Sequence, residues 1–302
     1  MNILITGGTG LIGQRLTEIL LEKGHSLRYL SRQKRKHGKV KNYHWDVSTS
    51  TIDENALDDV HVIVHLAGEN VAGGRWTTKR KKDIIDSRTE STKLLFQAAE
   101  VSDSKPILFL SASGIGFYGE DTQDNIMKEN APKGGGFLAD VVDAWEQEAD
   151  NFKTLGMRVV KLRIGMVLSD LGGALEKITQ PIKYGLGAAL GSGKQHVSWI
   201  HIDDLCRLIL WIIEHDKVNG IYNATATNSV TNKELTEIIA KSINRKVILP
   251  NVPEFVLKMM LGEMASIVLG GNKASNEKIT KQGFKFMYAN AKEAINQILK
   301  KN

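Results

Sequence analysis

Several things are scarce in this chain, and each scarcity closes off a class of protein. One cysteine, Cys206, in 302 residues excludes an intrachain disulfide and a multi-cysteine metal centre, and fits a reducing compartment. The eight histidines form no H-E-x-x-H spacing, so no metal is expected. No apolar run reaches the roughly 18 residues of a membrane span. Met1-Asn2-Ile3 enters a strand-like stretch at once, without a secretory leader, so the cytoplasm is the expected location. Aromatic residues are sparse and do not interleave with the basic clusters at Lys34 to Lys41, Lys79 to Lys82 and Lys300-Lys301. The net charge of +6 therefore reads as solvated faces, with neither nucleic acid nor membrane expected as a partner. There is no internal repeat or low-complexity tract. A hydrophobic content of 42% is enough for a large core divided between two lobes.

What is abundant is glycine in the right place. In Thr6-Gly7-Gly8-Thr9-Gly10-Leu11-Ile12-Gly13, residues Gly8, Gly10 and Gly13 satisfy G-x-G-x-x-G, and Gly7, Gly10 and Gly13 satisfy the wider G-x-x-G-x-x-G. Missing side chains let the backbone turn tightly, let a pyrophosphate approach the main chain, and let the next helix pack on the strand. The flanks agree: Asn2 to Thr6 is a short apolar strand, and Leu11 to Lys23 is a helix with Ile12, Leu16, Ile19 and Leu20 on one face. Gly24 stands at the C-cap, and His25 to Leu30 is the second strand. This βαβ unit predicts a dinucleotide site lined by Gly7, Thr9, Gly10, Leu11, Ile12 and Gly13, with the helix N-terminus facing the phosphates. After the second strand an NAD site carries an acid for the ribose 2′-hydroxyl, but this chain has Ser31-Arg32. A hydroxyl and a guanidinium suit a 2′-phosphate, so the expected cofactor is NADP(H). The alternative is a solvated basic loop, because Lys34, Arg35 and Lys36 follow.

Further strands read at Val60 to Leu66, Pro106 to Leu110 and Arg158 to Leu162, with helices at Lys79 to Glu100 and Leu138 to Phe152. The alternation predicts an α/β, Rossmann-type doubly wound parallel sheet over residues 1–169, with 203–225 packing back on it. Binding belongs at the carboxyl ends of its strands, among them Leu66, Ala67, Gly68 and Ser111. Residues 170–302 read as a smaller, mostly helical substrate lobe. It contains a glycine-rich loop from Gly185 to Gly193, a helix from Thr231 to Ile243, a short strand from Lys246 to Leu249 and an apolar helix from Pro253 to Leu261. Met259, Met260 and Met264 read as core.

Four stretches in this order resemble the extended short-chain dehydrogenase/reductases of the epimerase/dehydratase branch: Thr6 to Gly13, His65-Leu66-Ala67-Gly68, Ser111-Ala112-Ser113 leading to Phe117-Tyr118-Gly119, and Trp199 to Leu205. Further stretches, Gly68-Glu69-Asn70, Arg75-Trp76, Ser87-Arg88, Trp145-Glu146, Gly187 to Gly193 and Gly262-Glu263-Met264, resemble an atypical subgroup labelled nucleoside-diphosphate-sugar epimerases, with an uncharacterised C-terminal domain. The resemblance spans essentially the whole chain. It implies that Asp83 and Arg88 meet the cofactor and that Arg163 marks backbone contacts to the nicotinamide. It also implies a Tyr-x-x-x-Lys pair, in which lysine and cofactor lower the tyrosine pKa. That pair is missing: the family's usual interval from Ser113 lands near Phe137 with Val141, a shift of one residue gives Gly136 with Asp140 or Leu138 with Val142, and the literal Tyr288-to-Lys292 match lies too near the C-terminus.

Three side chains remain as candidate acid-base groups. The Ser113 hydroxyl could bond a substrate carbonyl or serve as a cap. Tyr118 could replace the missing phenol or pack its loop. His201 could act beside Asp203 and Asp204 or hold the loop, with Asp203 reading as the N-cap of a helix from Leu205 to Glu214. His196 and Trp199, with the glycine-rich loop, could close over a ligand, with Arg75-Trp76 as the facing wall. The sequence therefore reads as an NADP(H)-binding oxidoreductase or epimerase acting on a small carbonyl, alcohol or sugar nucleotide. The alternative is a non-catalytic NADPH sensor.

Overall fold

A computed structural model of the chain describes residues 1–33 and 38–300. The basic residues Lys34, Arg35 and Lys36, and Lys301, lie outside the described residues.

In chain order the first half runs β1 (Asn2–Thr6), α1 (Leu11–Glu22), β2 (Ser26–Ser31), β3 (Lys41–Asp46), β4 (Thr51–Ile52), β5 (Val62–His65), α2 (Thr78–Val101), β6 (Leu108–Gly114), β7 (Asp121–Met127) and α3 (Phe137–Asp150). The second half runs β8 (Arg158–Ile164), β9 (Met166–Leu168), α4 (Ala174–Lys183), β10 (His196–Val197), β11 (Trp199–His201), α5 (Ile202–Glu214), β12 (Gly220–Ala224), β13 (Val230–Thr231), α6 (Asn232–Ser242), α7 (Glu254–Leu261), α8 (Ser266–Leu269), β14 (Gly271–Ala274), α9 (Glu277–Lys281) and α10 (Ala291–Leu299).

Eight strands make the main sheet in the order β12-β8-β6-β5-β1-β2-β3-β4, parallel throughout except for the β3–β4 hairpin. Chain order reverses between β1 and β5, where Thr6 pairs with His65. Such a reversal leaves a crevice at the carboxyl ends of the strands, the usual ligand position in a doubly wound sheet. The period of two along each strand divides the core. Ile3 and Ile5 pack under α1 and α5 with Leu16, Leu20, Leu205 and Ile209, whereas Leu4 faces the opposite layer with Ile63, Leu95, Phe109 and Phe152. Each fully buried side chain of this kind is worth about 1.5–3 kcal/mol. A third cluster, centred on Trp199, Leu235, Ile239 and Ile295, holds β11, α6 and α10 together. No described helix is long and apolar enough to cross a membrane, and no group of metal-ligating side chains is present among the described residues.

The structure departs from the sequence reading in several elements. No strand forms at 246–249. Met259 and Met260 are 68% and 61% exposed on the outer face of α7, while Met264 alone of the three joins an apolar cluster. Strand β3 and the parallel β7–β14 pair are absent from the sequence reading, because KNYHWD alternates only briefly, at Tyr43 and Trp45, and DTQDNIM does not alternate at all.

Candidate functional site

The glycine turn between β1 and α1 gives each glycine a separate physical reason. Gly7 has φ +69°, and a Cβ there would come within 2.9 Å of the Leu66 carbonyl carbon. A Cβ on Gly8 would enter the Tyr29 ring, and one on Gly13 would overlap the Gly7 carbonyl oxygen. These three are glycine because protein occupies the space. Gly10 differs, since a Cβ there meets only the Gly7 oxygen at 3.2 Å. Gly10 is also the N-cap of α1 and offers no side-chain cap, so the first-turn amides at Leu11, Ile12 and Gly13 are left to an outside acceptor. Leu11 and Ile12 pack their side chains on the core, and the Thr9 carbonyl accepts from Gln14 Nε2 at 2.7 Å. This is an anion cradle built from backbone.

Its neighbour is tied down by a buried histidine. His65 Nδ1 lies 2.7 Å from Thr6 Oγ1, whose oxygen also accepts from the Leu66 and Ala67 amides. With its acceptor sites used, Thr6 donates to Nδ1. On the other side Ser91 and Thr92 donate to the Ser87 and Arg88 carbonyls, so both accept from Nε2–H. Burial holds the His65 pKa down at about 3. The Leu66-Ala67-Gly68 segment is thereby fixed over the crevice. Arg88 comes up beneath it from α2, donating to the Ile84 and Glu69 carbonyls, with its guanidinium 5.1 Å from the Trp145 ring centroid. Gly68 leaves room for this group, as a Cβ would stand 3.1 Å from its central carbon. Arg88 has no carboxylate partner among the described residues, and burial pulls its pKa down to about 10, leaving it a cation at neutral pH.

The other expected cofactor residues are dispersed. Ser31 ends β2, where its hydroxyl accepts from the Gln33 amide at 3.2 Å, and Arg32 beside it is exposed. Asp83 pairs with Lys79 at 2.8 Å and not with Arg88. Ser111 is buried, with its hydroxyl donating to the Ala112 carbonyl.

Ser113, Tyr118 and Arg163 belong to one buried network. Ser113 donates to Glu146 Oε1 at 2.6 Å, and Arg163 grips both oxygens of Glu146 at 2.8 and 2.9 Å. The Arg163 guanidinium lies 3.4 Å over the Phe117 ring. Burial works against its charge, but Glu146 and, to a lesser degree, Tyr118 outweigh burial and raise its pKa. Tyr118 donates to Asn223 Oδ1 at 2.6 Å, and burial pushes its phenol above the ordinary value. Ser113 and Tyr118 each give their hydroxyl proton to a buried acceptor, which leaves their oxygens accepting capacity only. Glu146 and Asn223 were missed as members. The signal for Glu146 was available, since it shares a buried helix face with Val142, Trp145 and Ala149 at helical spacing.

The N-cap at Asp203 and the ligand-wall role of Trp199 need correction. His201, not Asp203, is the N-cap of α5: its Nδ1 accepts from the Asp203 amide at 3.0 Å, and its Nε2 meets Gln297 Oε1 at 3.0 Å. It stacks on Tyr288 at 4.0 Å, and burial lowers its pKa. Asp203 pairs instead with Arg15 at 2.6 Å. Trp199 is fully buried, its indole N–H donating to the Asn228 carbonyl, so it walls no ligand cleft. The glycine-rich loop is pinned by Gln195, which donates to the Leu190 and Val268 carbonyls, and by Asn232, which accepts from the Leu190 amide. His196 pairs with Asp124.

A cleft of about 650 Å³ opens on Trp76 and Phe137, whose rings meet edge-on at 4.9 Å. Trp76 lies on the segment leaving β5, while Glu120 follows Tyr118-Gly119 after β6. The cleft is thus built beyond the carboxyl ends of β5 and β6, with Phe137 at the start of α3 on its floor. Its far wall is α7, α8 and the turn between them. Arg75 holds that wall by donating to the Met259 and Met260 carbonyls at the end of α7.

Comparison with known proteins agrees with this architecture. The model of the NAD dependent epimerase/dehydratase family matches residues 3–225, and a domain of unknown function, DUF1731, matches residues 252–298, the segment that supplies the far wall. The epimerase family protein YfhF of Bacillus subtilis (strain 168) is 34% identical over 300 residues, covering 99% of this chain and 98% of that protein. Among solved structures, the human epimerase family protein SDR39U1 with NADPH superposes with TM-score 0.88 at 28% identity, covering 99% of each chain. The nucleoside-diphosphate sugar epimerase from Corynebacterium glutamicum gives TM-score 0.81 at 31% identity, over 99% of this chain and 58% of that one. With a glycine-rich first turn, a doubly wound sheet and full-length relatives in agreement, the chain belongs to the NAD dependent epimerase/dehydratase family.

Proposed function

We propose that the chain binds NADP(H) and acts as an oxidoreductase on a small carbonyl or alcohol. The observation that carries the reading is the turn at Gly7 to Gly13, where the first-turn amides of α1 have no side-chain cap and a Cβ on Gly10 would meet only the Gly7 oxygen. Arg32 at the end of β2 would grip the 2′-phosphate, and Ser31 would add a hydroxyl. Leu66, Ala67 and Gly68 would border the cofactor, and Arg88 would present its charge through Nε, which bonds nothing among the described residues. When bound, the reduced cofactor supplies a hydride to a carbonyl carbon while the oxygen takes a proton. Preference for NADP(H) over NAD(H) is further supported by the human relative, which was solved with NADPH.

The test is calorimetry on Arg32→Ala. Loss of one charge-assisted group should weaken NADPH by about 1.5–3 kcal/mol and leave NADH nearly unchanged. Equal losses for both would remove the 2′-phosphate argument.

A second reading, an NADPH-binding sensor without turnover, draws on one observation. Ser113, Tyr118 and His201 are all engaged within the protein. Following reduced-nicotinamide absorbance against aldehydes, quinones and sugar nucleotides separates the two. Tight NADPH binding with no turnover across the panel would favour the sensor.

A further inference from the structure

The cleft over Trp76 and Phe137 has a charge pattern that selects among substrates. Its two lysines are neutralised by its own walls: Lys81 pairs with Glu263, and Lys258 pairs with Glu254 one helical turn away at 2.5 Å. Glu120 and Asp121 line the same cleft, both exposed, and neither has a cationic partner among the described residues. Four carboxylates against two ammoniums leave an excess of two negative charges. A nucleoside diphosphate needs the reverse, since its phosphates are held by unpaired Arg, Lys or helix amides. The Lys81 ammonium already sits 5.3 Å over one face of the Phe137 ring, so the cation–π attraction of that face is met within the protein and the preference rests on the unpaired carboxylates.

We infer that the substrate of this cleft is a carbonyl or alcohol free of phosphate and carboxylate groups, uncharged or cationic, with a flat apolar part that lies on Trp76 and Phe137. The inference takes its redox chemistry from the proposed function, and its charge and shape preference from the cleft alone.

Three benzyl alcohols that share a ring and differ in charge make the test: 4-(aminomethyl)benzyl alcohol, benzyl alcohol and 4-carboxybenzyl alcohol, with UDP-glucose as a fourth probe. Dissociation constants are read by ligand-observed NMR with and without NADPH, and NADPH binding is measured separately by calorimetry. The ammonium compound should bind tightest and the carboxylate about tenfold more weakly, with no measurable binding of UDP-glucose. In the double variant Glu120→Lys/Asp121→Lys, at two exposed positions, the order should reverse. Binding of the carboxylate or of UDP-glucose as tightly as the ammonium compound overturns the inference, as does failure of all three alcohols to bind. A charge order that holds without any NADPH binding would instead sink the cofactor reading and leave the cleft's selectivity standing.

Discussion

At the scale of single residues, the buried Ser113–Glu146–Arg163 network separates structural from catalytic roles. Glu146 and Arg163 are 5% and 2% exposed, so the pair is far from water. Removing one partner leaves an uncompensated buried charge, which costs about 3–5 kcal/mol. Glu146→Gln should therefore lower the urea unfolding free energy by roughly 3 kcal/mol. Ser113→Ala removes one hydrogen bond from a carboxylate that keeps two others, and should cost about 1 kcal/mol. A Ser113→Ala protein of unchanged stability that has lost all turnover would contradict this and restore the serine to catalysis. Residue type was a poor guide here for a physical reason. Ser113, Tyr118, His201 and Trp199 were singled out for what their groups can do, but partners far away in sequence use those groups up: Glu146, Asn223, Gln297 and Asn228. Arg88 was legible only through the resemblance, and its unpaired guanidinium emerges from the packing of α2 beneath Gly68.

At the scale of elements, the turn between β1 and α1 was legible because its requirements are local. A positive φ at Gly7, a close approach at Gly13 and an uncapped helix start are all set within eight residues of sequence. The β7–β14 pair was not legible, because polar strands at the edge of the cleft meet across a long stretch of chain and bury little. The turn also allows stability and binding to be separated. Gly13→Ala drives a methyl group into the Gly7 carbonyl, so α1 must retreat, costing about 1–3 kcal/mol of stability along with NADPH affinity. Gly10→Ala brings its methyl group only against the Gly7 carbonyl oxygen, at 3.2 Å, a contact that a shift of a few tenths of an ångström relieves. Its unfolding free energy should fall by less than that of Gly13→Ala while NADPH affinity falls at least about tenfold, or roughly 1.4 kcal/mol. Parent-like NADPH binding by Gly10→Ala would mean that the phosphates do not approach that amide.

At the scale of the whole molecule, His65 couples the crevice to the pH dependence of stability. It joins β1, β5 and α2 at the point where the strand order reverses. Its Nδ1 faces a hydroxyl that is already donating, so a second ring proton there would have no acceptor. The folded pKa of about 3 lies below the value of about 6.5 for an exposed histidine. Above pH 6.5 the ring is neutral in both states, and its contribution to stability is fully present. As pH falls below that value, the unfolded chain takes up a proton that the folded chain refuses, so stability declines by up to about 1.4 kcal/mol per pH unit until the folded group itself titrates. Between pH 7 and pH 5 this one residue should account for about 2 kcal/mol. His25 and His201, whose pKa values burial also lowers, add to the same trend. The contribution of His65 is therefore isolated by comparison with His65→Gln, whose urea unfolding free energy should fall by about 2 kcal/mol less between those two pH values. Identical pH dependence in parent and variant would mean that this histidine is not buried in its neutral form, and that the segment over the crevice is held in some other way.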